Sequence, residues 1–272
     1  MADQRSLKGV TQVRQQVQVG EVVFGGPSTV LIAGPCSVES LDQMRVVAQQ
    51  LKDAGVHILR AGAFKPRTNP HSFQGLGQEG LEILAQVSRE TGLPVVTEVL
   101  SENDIEAVEA KADMLQVGAR NMHNTALLKA LSKTSLPILL KRGFAATIEE
   151  FLMAAEYLVH GGNNQVVLCE RGVRSFEPQV RFGIDFGSLA LLRELTAFPL
   201  VVDPSHATGQ ARLVRPVARA AAALGVEGIM VEVHPDPSKS VSDAEQAIDI
   251  EEFHGLVQDV RAIEGILQPD GR

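Results

Sequence analysis

Short apolar runs rich in Val, Ile and Leu recur along the chain at 28–35, 57–63, 94–99, 113–119, 137–142, 166–171, 199–204 and 228–234. Each is nearly continuous rather than alternating, as in strands covered on both faces. Helical stretches lie between them. In SLDQMRVVAQQLKDAG and TIEEFLMAAEYLVHGG the apolar positions follow a 3.6-residue spacing. Each opens on a Ser or Thr cap followed by acids and closes at Gly. Eight such alternations predict an α/β chain folded as a (β/α)8 TIM barrel over 28–272. A doubly wound open sheet competes for the same pattern. The turn after the first strand, however, reads AGPCSVES and lacks the Gly-rich dinucleotide fingerprint. Residues 1–27 are too few for a domain. The pattern QVQVGEVVFGG within them reads as a short N-terminal β-hairpin extension that plugs the barrel bottom.

Composition narrows the partners. A length of 272 residues suits one barrel, and 44% hydrophobic content is enough for a sizeable core. The net charge of −8 and the 4% aromatic content, with no Trp, argue against nucleic acid as a partner. No apolar run approaches the ~18 residues of a membrane span, and MADQRSLKGV has no apolar signal core. Cys36 and Cys169 form no CxxC and no disulfide scaffold. The expectation is a reduced, cytoplasmic protein with no membrane partner.

In a barrel of this kind, chemistry sits where strands end. Closure places the eighth strand beside the first, so the seventh, eighth and first strands become neighbours. They carry His206, Glu232 and Cys36, and Asp243 follows in the loop after the eighth. A thiolate, an imidazole and two carboxylates suit a divalent transition metal better than Ca²⁺ or Mg²⁺. Cys36 alone would be a core thiol and His206 alone a capped loop histidine; the joint pattern favours a metal site. His234, two residues from Glu232, shares its strand face and is a candidate support for the metal ligands. Cys169 reads as barrel packing. His57, His71, His123, His160 and His254 have no convergent partners, and Gly75-Leu76-Gly77 is a weak phosphate-turn signal.

Arg60, Lys65, Arg67, Arg120, Lys141 and Arg171 come from the other strand ends. In an acidic protein such a cluster needs a counter-anion, and Arg forks match phosphate and carboxylate oxygens. If all six face inward, the mouth with its metal carries a surplus of about +4 to +5, depending on Glu98. Two phosphate monoesters and one carboxylate carry roughly −4 to −5. The site therefore fits two phosphorylated ligands, one of them also a carboxylic acid.

These residues sit in AGPCSVES, LRAGAFKPRTNPHSFQGLG, VVTEV, QVGARNM, LLKRG, CERG, VVDPSHATG, EVHPDP and SDAEQ, in that order from Leu31 to Gln246. In them the chain resembles the class I 3-deoxy-D-arabino-heptulosonate 7-phosphate (DAHP) synthases of the short β-type branch. The resemblance implies a transferase that condenses phosphoenolpyruvate with erythrose 4-phosphate, the first step of the shikimate pathway to aromatic amino acids. It implies one divalent metal ion at Cys36, His206, Glu232 and Asp243, with Mn²⁺ foremost and Fe²⁺, Co²⁺ or Zn²⁺ as alternatives. It implies phosphoenolpyruvate contacts from Arg60, Lys65, Ala119, Arg120, Lys141 and Arg171, and an erythrose 4-phosphate site at Lys65, Pro66, Arg67 and Thr68. Lys65, Glu98 and His206 become the candidate proton carriers, and a homodimer or homotetramer is expected.

The nearest sibling family makes 3-deoxy-D-manno-octulosonate 8-phosphate from arabinose 5-phosphate. It typically reads Lys-Ala-Asn-Arg where this chain reads Lys65-Pro66-Arg67-Thr68. The chain departs from its own family's Arg-Asn-Thr-Leu-Asp run within 176–185. It also lacks the regulatory N-terminal extension of many relatives, which predicts no built-in feedback inhibition. Two readings from other classes remain: a catalytically dead barrel that senses phosphorylated metabolites, and a Schiff-base aldolase built on Lys141.

Overall fold

A computed structural model of the chain describes residues 14–65 and 71–267. Its centre is a closed barrel of eight parallel strands. Two short strands precede it, β1 (Val17–Val19) and β2 (Val22–Phe24). The barrel strands are β3 (Val30–Gly34), β4 (Ile58–Arg60), β5 (Val95–Glu98), β6 (Met114–Val117) and β7 (Ile138–Lys141). They continue as β8 (Val166–Glu170), β9 (Leu200–Val202) and β10 (Gly228–Glu232). β10 closes onto β3 in a register that pairs Gly228 with Val30 and Glu232 with Gly34. The predicted neighbourhood of the last two strands and the first is thus the observed one.

Alternation along each strand makes two cores. Ile32, Ile58, Val96, Met114, Leu139, Val167, Val201 and Met230 fill the barrel interior. Leu31, Leu59, Leu115, Leu140 and Leu168 point outward and pack with the helices. Cys169 lies in the inner cluster, fully buried, as packing. The hairpin β1–β2 turns through Gly20-Glu21 with Gly20 at φ 58, the positive value that a tight two-residue turn demands. Its Val17, Val19 and Phe24 join the inner cluster together with Val30, at the start of β3. The hairpin is therefore a plug at the bottom of the barrel.

The surrounding helices are α1 (Leu41–Asp53), α2 (Gln78–Thr91), α3 (Ile105–Glu109), α4 (Thr125–Leu131), α5 (Ile148–His160) and α6 (Phe186–Leu195). After β9 come α7 (Pro204–Thr208), α8 (Ala211–Leu224) and, after β10, α9 (Ile250–Leu267). The expected caps are in place. Ser40 accepts the Gln43 N–H at 3.2 Å, and Thr147 forms a reciprocal box with Glu150. The short helix α7 is an addition to the eight-unit pattern. Asp203 caps it through the His206 N–H at 3.0 Å, and Pro204 occupies its first turn. Among the described residues, no helix is long and apolar enough to cross a membrane.

Candidate active site

Three of the four expected metal ligands gather at the top of the barrel. One donor atom each from Cys36, Glu232 and Asp243 lies within 4.8 Å of the others. Glu232 ends β10, fully buried, and its N–H donates to Ser205 Oγ at 2.9 Å. Arg60 donates to its Oε1 at 2.6 Å and Gln246 to its Oε2 at 2.5 Å. Burial alone would raise its pKa, but His206, Arg60 and Lys65 pull it down to about 2. Asp243 sits at φ 53, a left-handed value that its short polar side chain tolerates. There its Oδ2 accepts from Cys36 Sγ at 2.9 Å. Burial, and next the Glu232 charge, push the Cys36 thiol up to about 12. Lys65 Nζ stands beside it, 2.9 Å from Sγ and 2.8 Å from the Cys36 carbonyl.

His206 stands at the edge of this group. Its Nε2 lies 3.3 Å from Glu232 Oε1, and its Nδ1 lies 2.7 Å from Asp203 Oδ2. Burial lowers its pKa against the opposing pull of Asp203 and Glu232, which favours the neutral imidazole. A carboxylate behind the outer ring nitrogen is the usual support for a metal-binding histidine. Sulfur, two carboxylates and an adjacent imidazole form a donor set that fits a divalent transition ion.

Beside these donors opens a cavity of about 230 Å³. Arg60, Lys65, Arg120, Lys141 and Arg171 all line it, as do Ala119, Glu98, His206 and Asp243. Pro66, Arg67 and Thr68 lie outside the described residues. Glu98 Oε2 accepts from Gln116 at 3.2 Å. A Cβ at Gly118 would sit 2.0 Å from Glu98 Oε1, so a larger residue there would displace this carboxylate from its place.

Part of the positive charge at the mouth is already paired. Arg60 is paired with Glu232, and Lys141 meets Asp203 Oδ2 at 2.5 Å. Asp203, within VVDPSHATG, adds one negative charge to the mouth and Arg181 one positive charge, so the sum itself is unchanged. Burial would raise the Asp203 pKa, yet His206 and Lys141 hold it well below the usual carboxylate range. Arg181, Phe144, Gln116 and Ser72 also line the cavity without having been singled out. Arg181 donates to Gln246 Oε1 at 3.0 Å, so a chain of contacts runs from the 176–185 segment through Gln246 to Glu232. His234 does not take that supporting place. Its Nδ1 accepts the Asp236 N–H at 3.1 Å, and its Nε2 faces Glu39 at 3.5 Å. The Gly77 N–H is committed to the Ala63 carbonyl at 2.9 Å and is not offered to a phosphate.

A (β/α)8 barrel whose mouth joins a transition-metal donor set to a cationic cavity defines an enzyme class acting on anionic substrates. The chain belongs to the DAHP synthetase I family, whose sequence profile matches residues 10–264. It is 47% identical over 247 residues to the phospho-2-dehydro-3-deoxyheptonate aldolase of Thermotoga maritima, covering 91% of this chain and 73% of that one. The crystal structure of phospho-2-dehydro-3-deoxyheptonate aldolase (DAHP synthase) from Thermotoga maritima superposes with a TM-score of 0.90 at 45% identity, covering 93% of this chain and 74% of that one. The 2-dehydro-3-deoxyphosphooctonate aldolase of Syntrophotalea carbinolica is 32% identical over 271 residues, covering 93% of this chain and 97% of that one.

Proposed function

We propose that the protein is a metal-dependent DAHP synthase, joining phosphoenolpyruvate to erythrose 4-phosphate at the entry to aromatic amino acid biosynthesis. The observation that carries this reading is the Cys36–Glu232–Asp243 donor group beside a cavity lined by Asp243 and a set of arginines and lysines. The stronger likeness to the heptonate relative than to the octonate one, 47% against 32%, favours the four-carbon sugar.

Arg120, Lys141, Arg171, Arg60 and Lys65 would hold the phosphate and carboxylate of phosphoenolpyruvate. Arg67 and Thr68, beside Lys65 and Pro66, would anchor the sugar phosphate. Carbon C3 of phosphoenolpyruvate bonds to the aldehyde carbon, water adds at C2, and phosphate leaves by C–O cleavage. Lys65, Glu98 and His206 line the same cavity and are the groups placed to move protons there. Cys36, Glu232 and Asp243, with His206 at their edge, would hold one divalent ion, Mn²⁺ in the first instance. Such an ion supplies Lewis acidity to a carbonyl oxygen. The protein would work in the cytoplasm as a homodimer or homotetramer.

The substrate assignment is tested by following the ultraviolet absorbance of phosphoenolpyruvate with Mn²⁺ and either erythrose 4-phosphate or arabinose 5-phosphate. Loss of absorbance with the erythrose sugar alone is expected. Preference for the arabinose sugar would move the protein to the octulosonate activity and overturn the reading of Arg67 and Thr68.

A further inference from the structure

Arg171 differs from two other cations of the cavity, Arg60 and Lys141, in what holds it. Arg60 and Lys141 each commit their charged end to a buried carboxylate. Arg171 is only 4% exposed, yet its Nη1 is buried without a hydrogen-bond partner. Among the described residues, no carboxylate forms an ion pair with it. Its neighbours are two aromatic rings. The rings of Phe144 and Phe182 stack at 5.1 Å with 9° between their planes. The Arg171 Cζ lies 4.4 Å from the Phe182 centroid and 4.9 Å from that of Phe144. Phe144 also faces Arg120 at 5.7 Å, so the ring that lines the cavity contacts two of its cations.

The backbone pins both rings. The Arg174 N–H donates to the Phe144 carbonyl at 2.7 Å. The Phe182 N–H donates to the Ala207 carbonyl at 2.7 Å, on the helix that carries His206. Val173 and Gly183 exchange N–H bonds at 2.9 and 3.1 Å, closing the base of the loop between them.

A π face attracts a guanidinium without using any of its N–H donors. A carboxylate partner would occupy those donors and cancel the charge. The aromatic pair does neither. Burial lowers the Arg171 pKa to about 10, against the pull of Asp203, which leaves the group cationic at neutral pH.

We propose that Phe144 and Phe182 are positioning residues that orient Arg171 for an anionic substrate group and leave its donors unengaged. The inference rests on the reading of the cavity as the phosphoenolpyruvate site. It also assigns a role to the segment in which this chain departs from the Arg-Asn-Thr-Leu-Asp run of its relatives.

Calorimetric titration of phosphoenolpyruvate into the unaltered protein and into Phe182→Leu, Phe182→Tyr and Phe144→Leu tests it. Leucine keeps apolar bulk and removes the π face; tyrosine keeps the face. The Leu variants should bind roughly 5- to 30-fold more weakly, and Tyr should bind like the parent. In turnover, KM for phosphoenolpyruvate should rise in the Leu variants while KM for the sugar phosphate stays put. Thermal melting identifies any variant that has lost its fold, and the other ring's Leu variant then decides. A folded Leu variant with the parent's affinity would overturn the proposal while leaving the substrate reading intact. Failure of the unaltered protein to bind phosphoenolpyruvate would overturn both.

Discussion

Asp203 makes three contacts that together shape the site. Its Oδ1 caps α7, and its Oδ2 meets both Lys141 and the His206 ring. One buried carboxylate thus sets the helix, the lysine and the imidazole relative to one another. Gln246 does similar work for Glu232, turning its amide N–H to the carboxylate and its carbonyl to Arg181. Partners of this kind commonly tune metal affinity by about 10- to 100-fold. Gln246→Ala should therefore weaken Mn²⁺ binding by roughly that factor in a chelator-competition titration. Unchanged affinity would show that Glu232 keeps its place without the amide. The candidate metal donors and most of the basic residues were legible in the sequence through their joint placement at or after the ends of strands that barrel closure makes neighbours, although Cys36 or His206 alone had an ordinary explanation. Asp203 and Gln246 were not assigned roles, because a supporting residue is recognisable only from what it touches. Phe144 and Phe182 look like ordinary core residues until Arg171 is seen against them.

The strand pattern was legible because both faces of every barrel strand are buried, which makes each run continuously apolar. For the same reason the runs overshoot. The run at 57–63 becomes a ladder of only Ile58–Arg60, since Ala61 and Ala63 remain buried in the loop that follows. Helix α7 escaped the periodicity because its five residues are held by the Asp203 cap rather than by an apolar stripe. The hairpin was visible as alternation around a Gly turn, and its plugging role follows from Phe24, fully buried in the interior cluster. Phe24→Ala should destabilise the fold by about 3–5 kcal/mol. A urea titration would show this as a lower midpoint. A midpoint equal to the parent's would mean that the hairpin lies on the barrel without filling it.

At the scale of the molecule, a chain of net charge −8 concentrates arginine and lysine in a single mouth. A low-dielectric cleft of one sign focuses its field on incoming anions. The magnitude of that field was not readable from sequence, because the pairings of Arg60 with Glu232 and of Lys141 with Asp203 join residues far apart in the chain. If a cation held at Cys36, Glu232 and Asp243 serves the chemistry in the basic cavity beside it, turnover depends on that ion. The most direct test follows phosphoenolpyruvate absorbance with erythrose 4-phosphate in chelator-stripped protein, before and after Mn²⁺ is restored, alongside Cys36→Ala. No loss of absorbance is expected until the ion returns, and none in the Cys36 variant at any point. Undiminished turnover in the stripped protein, or full activity in Cys36→Ala, would contradict that dependence.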